Sequence, residues 1–271
     1  MRVASSGTAP SRASLIFFAI GIAGLGALAL VFGDFVEVGQ TVAAWVPGRT
    51  GLAYASGIIM LMGGIGLLWS RTRAVSVRIL LPFLIVGFLS QAPTLVMTPL
   101  VEVTWESAGE VALLVSGSWV LFATLSGLGP GSRFAFATGE RGLRIARVIF
   151  GVALLPIGLS HFAYLEHTVS LVPAWLPFRT GWACLTGAAH IAAGLGVLFS
   201  VVPRIAAALE AAMLAVFTLL VWAPRIVATP TGGRDLWTEF VVSWAITGAS
   251  WLVADSFANS FAPKDPVPTS P

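Results

Sequence analysis

Eight stretches of about 20 mostly apolar residues run through this chain, each long enough to cross a bilayer as a helix. They cover residues 15–33, 51–69, 75–97, 109–128, 146–164, 181–201, 204–224 and 238–257. Of the 271 residues only 10% are charged, against about 25% in a soluble domain. So few charges do not cover a water-facing surface, and lipid is expected to be part of the solvent. The expected fold is all-α, a polytopic membrane helical bundle of eight transmembrane helices. The net charge of +3 is scattered over short connecting segments and is no footprint of nucleic acid. One cysteine, Cys184, leaves no self-contained disulfide, dithiol redox centre, c-type haem attachment or cysteine zinc site.

Basic residues predict an orientation. With a cytoplasmic N-terminus, the inner segments hold 11 of the 15 Lys and Arg residues, and the outer ones hold only Arg49, Arg179, Arg225 and Arg234. Loops rich in Lys and Arg stay inside, so both termini are expected in the cytoplasm of a bacterial-type plasma membrane. The start "MRVASSGTAPSRASLIFF" is basic like a signal peptide. Its apolar run exceeds the usual length of about 7–15 residues, which predicts a retained first helix.

The chain repeats itself. "WVPGRTG" at residues 45–51 returns as "WLPFRTG" at 175–181, and 11 of 26 positions match when residues 45–70 are laid on 175–200. The register continues, with one or two added residues, through Pro93/Pro224, Pro99/Pro230, Trp105/Trp237 and Trp119/Trp251. Four spans per copy is an even number, so the two copies enter the membrane alike and form a parallel duplication. The expected organisation is an N-terminal tail (1–14), a first four-helix module (15–128), a basic cytoplasmic linker (129–145), a second module (146–257) and a disordered C-terminal tail (258–271).

The repeated word reads locally as a helix start. Its proline suits a position just before or at the first turn, Thr50 and Thr180 are expected as N-caps, and its Trp and Arg suit the headgroup level. Arg179 is also a candidate for holding an anionic group.

The pattern Ser160-His161-Phe162, then Val172-Pro173-Ala174-Trp175-Leu176-Pro177, then Thr186-Gly187 and Pro224, resembles the DoxX/DoxX-like family of four-helix membrane modules. The likeness is clearest over 145–257. The first half would be a diverged copy, with Leu30, Val31 and Phe32 in place of Ser-His-Phe. Related modules often carry an acidic residue where this chain has His190. Some members of that family are subunits of thiosulfate:quinone oxidoreductases, and most have no assigned activity. The resemblance implies fold more firmly than function.

Few residues can carry chemistry. His161, Glu166, His167 and Arg179 are expected to cluster at the outer end of the fifth helix. His190 falls mid-helix in the sixth span and Glu210 in the seventh, at depths differing by about 6 Å. They form either a proton relay or the polar end of a quinone or lipid pocket, or a structural pair joining two helices. Glu102, Glu106 and Glu110 share one helical face, expected to be solvated. Two neighbouring histidines fall short of the three or four ligands zinc takes, so no metal site is expected. The histidines do not recur in the first half, where Val31, Glu37 and Met60 stand at their places, so specific chemistry is expected in the second module.

These features point to an accessory or scaffold membrane component that binds a small hydrophobic molecule, quinone or lipid. The alternative is a membrane subunit of a quinone-linked oxidoreductase of the thiosulfate:quinone type, working with a soluble redox partner. The chain lacks the cysteines and axial ligand pairs that a self-sufficient redox enzyme needs. A third reading, transport, would rest on His190 and Glu210. Membrane lipids are expected partners, quinone is the one cofactor implied, and nucleic acid is not expected.

Overall fold

The computed structural model describes residues 10–35, 42, 46–129 and 131–258, and every regular element among them is a helix. In chain order these are α1 (Arg12–Phe32), α2 (Arg49–Leu68), α3 (Arg73–Leu89), α4 (Ala92–Met97), α5 (Glu102–Leu125), α6 (Gly139–Ala163), α7 (Leu165–Leu171), α8 (Arg179–Leu198), α9 (Pro203–Phe217), α10 (Ala223–Ala228) and α11 (Gly233–Ser256). A 3-10 turn, Ala135–Ala137, sits in the linker, and a π-turn, Thr218–Trp222, joins α9 to α10. Trp45, Glu37 and most of both expected tails lie outside the described residues.

By length and composition seven segments, not eight, suit a membrane crossing: α1, α2, α3 with α4, α5, α6, α8, and α9 through α10. The eighth expected span, α11, is long enough at 24 residues but carries Arg234, Asp235, Glu239 and many hydroxyls. Packing explains the difference. α11 lies against α1, α5 and α9, and Thr238, Ser243, Thr247 and Ser250 are buried. Thr247 and Ser250 donate to carbonyls one turn back, which satisfies them inside the helix. A helix enclosed by protein needs less apolar surface than one facing oil.

The pairings of the first half recur in the second. α1 packs on α2, α2 on α3 and α3 on α5; α6 packs on α8, α8 on α9 and α9 on α11. Across the halves, α5 meets α6 as α11 meets α1, and α5 touches α11. Local bonds repeat as well. Trp105 Nε1 donates to the Pro99 carbonyl at 3.0 Å, and Trp237 Nε1 to the Pro230 carbonyl at 3.1 Å. Arg49 Nε reaches the Val42 carbonyl and Arg179 Nε the Val172 carbonyl, both at 3.0 Å.

Those arginine bonds revise the expected helix starts. The residues before α2 and α8 are Gly48 and Phe178, with left-handed φ of 69° and 55° and no side-chain cap. Thr50 and Thr180 therefore lie within the first turn and cap nothing. The guanidinium instead ties the helix start to a carbonyl seven residues earlier in the chain, a job the expected threonine cap would not do.

Glycine sets the closest approaches. A Cβ on Gly57 would stand 3.0 Å from the Gly26 carbonyl oxygen, and one on Gly187 2.9 Å from that of Gly158. Gly26 and Gly158 thus occupy matching places, 132 residues apart, whereas α2 and α8 match at 130. The packed counterpart of His161 is therefore Ala29, not Val31. The one residue added between Ser76/Ala206 and Pro93/Pro224 falls where α9 gives way to the π-turn. A π-turn closes its hydrogen bond over one more residue than an α-turn, and so absorbs the insertion without breaking the helix.

Short polar ties close both ends of the bundle. At the linker end Asp255 accepts from Ser14 Oγ at 2.6 Å and from the Ser11 N–H at 2.9 Å. There Arg78 donates to the Ser126 carbonyl at 2.9 Å, and Arg147 lies 4.1 Å over the Phe257 ring. At the other end Asp34, just after α1, is held by Arg49 and, at 2.9 Å, by Arg234 of the second half. Burial, the largest single influence on Asp34, raises its pKa. It is outweighed by the bonds from Arg49, the Phe35 N–H and Arg234, which together hold the carboxyl below its ordinary 3.8. A lowered folded pKa means that this clasp stabilises the fold above pH 3.8 and loses its effect as pH falls through the lowered value. Asp34→Asn is expected to cost about 1 kcal/mol at pH 7. Thermal midpoints of the two proteins in detergent should converge below that pH; a constant gap down to pH 3 contradicts the assignment.

Candidate functional site

The polar centre is built on the tight approach of α6 to α8. The buried face of α8 runs Ala183, Gly187, His190, Gly194, Val197, at the three- and four-residue spacing of one helical stripe. At the α8–α9 hairpin, Ser200 and Val202 adopt positive φ, which turns the chain sharply enough to lay α9 beside α8. His190 Nδ1 then lies 2.8 Å from Glu210 Oε1, and both residues are only 1% exposed. The depths inferred from the sequence do bring this pair together. The second oxygen, Glu210 Oε2, is buried with no hydrogen-bond partner among the described residues.

His161, on α6, stands edge-on to His190 with ring centroids 5.1 Å apart. Only glycine permits this contact, because a Cβ on Gly187 would lie 2.6 Å from His161 Cβ. His161 Nδ1 is 3.0 Å from Thr186 Oγ1 and 3.3 Å from the Ala183 carbonyl oxygen. Phe217 covers both imidazoles, its ring centroid about 6 Å from each. One residue before His161, Ser160 donates to Glu106 Oε1 of α5 at 2.9 Å.

These groups border a half-open cavity of about 1270 Å³ lined by α5, α6, α7, α8, the α9–π-turn segment and α11. Its volume exceeds the range of roughly 300–1,000 Å³ common for small-molecule pockets. Ile157, Leu185, Leu214, Phe217, Leu220 and Ile246 give it an apolar interior, and Tyr164, Trp175, Trp182 and Trp222 add aromatic surface. Ser243, also on the wall, is tied at 2.8 Å to Thr218 of the π-turn.

Of the expected site residues, His161, His167 and His190 line the cavity, and Glu210 stands behind His190. His167 is on the short helix α7 rather than in a loop. Glu166 is exposed and is not on the cavity wall. Arg179 is used by the backbone, donating to the carbonyls of Val172 and, at 2.7 Å, Val169.

The three acidic residues of the α5 face were expected in water, and none is there: both carboxylate oxygens of Glu102 are buried. Glu106 and Glu110 face the cavity instead of water, and Glu239 joins them from α11. The four-residue spacing did identify a shared face on α5, but not the neighbour toward which it turns. Because α5 belongs to the first half, the site is not confined to the second module. The asymmetry between the halves remains at the polar pair. Met60 and Leu80, 3% and 0% exposed, stand 130 positions before His190 and Glu210.

A family model described as a domain of unknown function, DUF8561, matches residues 150–229, the segment that carries His161, His190 and Glu210. No curated protein matches the chain, and neither does any solved structure.

Proposed function

We propose that this chain is a DoxX-like integral membrane protein of two tandem four-helix modules. In this reading eight helices cross the membrane, both termini are cytoplasmic, and the cavity holds a small hydrophobic molecule of the quinone or lipid kind. The cavity carries the reading: its interior is apolar and aromatic, and polar groups converge on one side around His161, His190 and Glu106. That division suits a ligand with an apolar body and a polar head. The outward faces of the bundle support membrane insertion. α3 exposes Val75, Ile79 and Val86, and α9 exposes Ile205, Leu209 and Val216. Apolar stripes of this kind are not tolerated on a water-soluble monomer.

Native mass spectrometry from mild detergent tests the binding. Wild-type protein is expected to retain a small molecule, and Ala189→Trp, which fills the cavity from α8, is expected to lose most of it while staying folded. A wild-type protein with no bound molecule, or equal occupancy in the variant, contradicts the reading. For orientation, Cys184 is first replaced by serine. A membrane-impermeant maleimide should then label Thr231→Cys in intact cells and Gly131→Cys only after permeabilisation. The reverse pattern inverts the topology.

A further inference from the structure

The contacts of one ring nitrogen of His161 decide what the other can do. Nδ1 faces two oxygens, the Ala183 carbonyl at 3.3 Å and Thr186 Oγ1 at 3.0 Å. A carbonyl oxygen only accepts. The Thr186 hydroxyl has a single hydrogen, and the carbonyl oxygens of Trp182 and Ala183, one turn back, each lie 3.0 Å from it. Hydroxyls within helices ordinarily give their hydrogen to such a carbonyl, which leaves Oγ1 as a second acceptor beside Nδ1. No carboxylate among the described residues is hydrogen-bonded to His161, and an unpaired charge within the bundle is costly, so the ring is neutral. A neutral imidazole has one N–H, and Nδ1 holds it. Nε2 is then a bare lone pair. It has no hydrogen-bond partner among the described residues, it is not sealed in by protein, and its ring lines the cavity.

A second observation points to a polar ligand atom in the same cavity. Thr238 of α11 is only 2% exposed and borders the cavity, yet its hydroxyl has no hydrogen-bond partner among the described residues. Buried hydroxyls are ordinarily paired, and a ligand oxygen would pair this one. The rest of the ligand is apolar. Leu185 of α8, Val216 of α9 and Leu220 of the π-turn line the cavity and are also exposed, at 57%, 48% and 43%, so hydrocarbon flanks its opening.

We propose that the cavity takes its ligand in a hydroxyl form, the O–H donating to His161 Nε2: a hydroquinone or another lipophilic alcohol, in preference to the quinone or ester that lacks the hydrogen. This rests on the reading that the cavity holds a small hydrophobic molecule, and adds the hydrogen-bonding character of its head.

The test uses the purified full chain in mild detergent, kept free of oxygen, and two matched pairs of probes. One pair is decyl-ubiquinol and decyl-ubiquinone; the other is dioctanoylglycerol and its acetate ester. Isothermal titration calorimetry reads the affinities. In whichever pair binds, the hydroxyl member is expected to bind at least about fivefold tighter than its partner, the discrimination that one hydrogen bond gives. Binding of the first pair identifies a hydroquinone, and binding of the second a lipid alcohol. His161→Phe keeps an aromatic ring and removes the acceptor. It is expected to bring the hydroxyl member down to its partner's affinity and to leave the partner unchanged. Equal binding of the two members, or tighter binding of the one without a hydroxyl, overturns the inference while the hydrophobic-molecule reading stands. A folded His161→Phe that keeps the preference also overturns it. If none of the four probes binds, both fall. The comparison within each pair on wild-type protein needs no variant to fold.

Discussion

Replacing His190 with alanine is expected to destabilise the folded chain by about 3–5 kcal/mol, the usual cost of removing one partner from a buried pair. The geometry places this case toward the upper part of that range. Glu210 is fully enclosed; among the described residues its Oε1 is bound only by His190 Nδ1, at 2.8 Å, and its Oε2 has no partner. Without the imidazole, a buried carboxyl group has nothing to answer it. The first half of the chain suggests the rescue. It puts two apolar side chains, Met60 and Leu80, at the corresponding positions and buries both. The double variant His190→Met/Glu210→Leu is therefore expected to recover most of the lost stability, because well-packed apolar residues replace buried ion pairs at little or no cost. Chemical unfolding in detergent measures both. If the double variant is as unstable as His190→Ala, the pair does more than join α8 to α9 by packing. Should the double variant be stable yet lose its bound small molecule, the pair belongs to the binding site as well as to the fold.

Gly26→Ala and Gly158→Ala are expected to cost about 3 kcal/mol or more each, at the high end for overpacked cores. An added Cβ at Gly26 presses on the Leu61 amide nitrogen and comes within 2.6 Å of the Gly57 carbonyl oxygen. At Gly158 it comes within 2.6 Å of the Gly187 carbonyl oxygen and 3.1 Å of His190 Cβ. These are backbone contacts, so whole helices must shift and no side chain can swing aside. The two variants should differ in what else they disturb. Gly158→Ala displaces α8 at His190 and is expected to loosen the His190–Glu210 pair and any bound ligand, whereas Gly26→Ala acts on α1 and α2. Gly51→Ala is the control: among the described residues no atom beyond its own helix backbone and chain neighbours lies within 4 Å of its added Cβ, and alanine favours a helix over glycine by about 1 kcal/mol. Thermal midpoints in detergent decide the matter. A mild effect at Gly26 or Gly158 would mean that the helices are not in glycine-mediated contact.

What the sequence determined by itself was the set of long apolar helices and the repeat. Apolar runs of spanning length need no partner to be read, because each residue's preference for oil over water is its own. The matched glycines, prolines and tryptophans are likewise local, and they marked the two halves whose helix pairings recur. The approach of His190 to Glu210 followed from counting residues either side of one short turn. Tertiary structure decided whatever depends on which face of a helix meets which neighbour. The spacing of Glu102, Glu106 and Glu110 defines a face, but only the packing of α5 against α6 and α11 turns Glu106 and Glu110 into the cavity and away from water. Arg179 seemed free to take an anion until the fold placed the Val172 and Val169 carbonyls against its guanidinium. The two-residue offset that makes Ala29 the counterpart of His161 appears only where Gly26 and Gly158 touch their partner helices. In each case the missing information is an orientation about a helix axis, set by contacts between residues far apart in the chain and by no property of the helix alone.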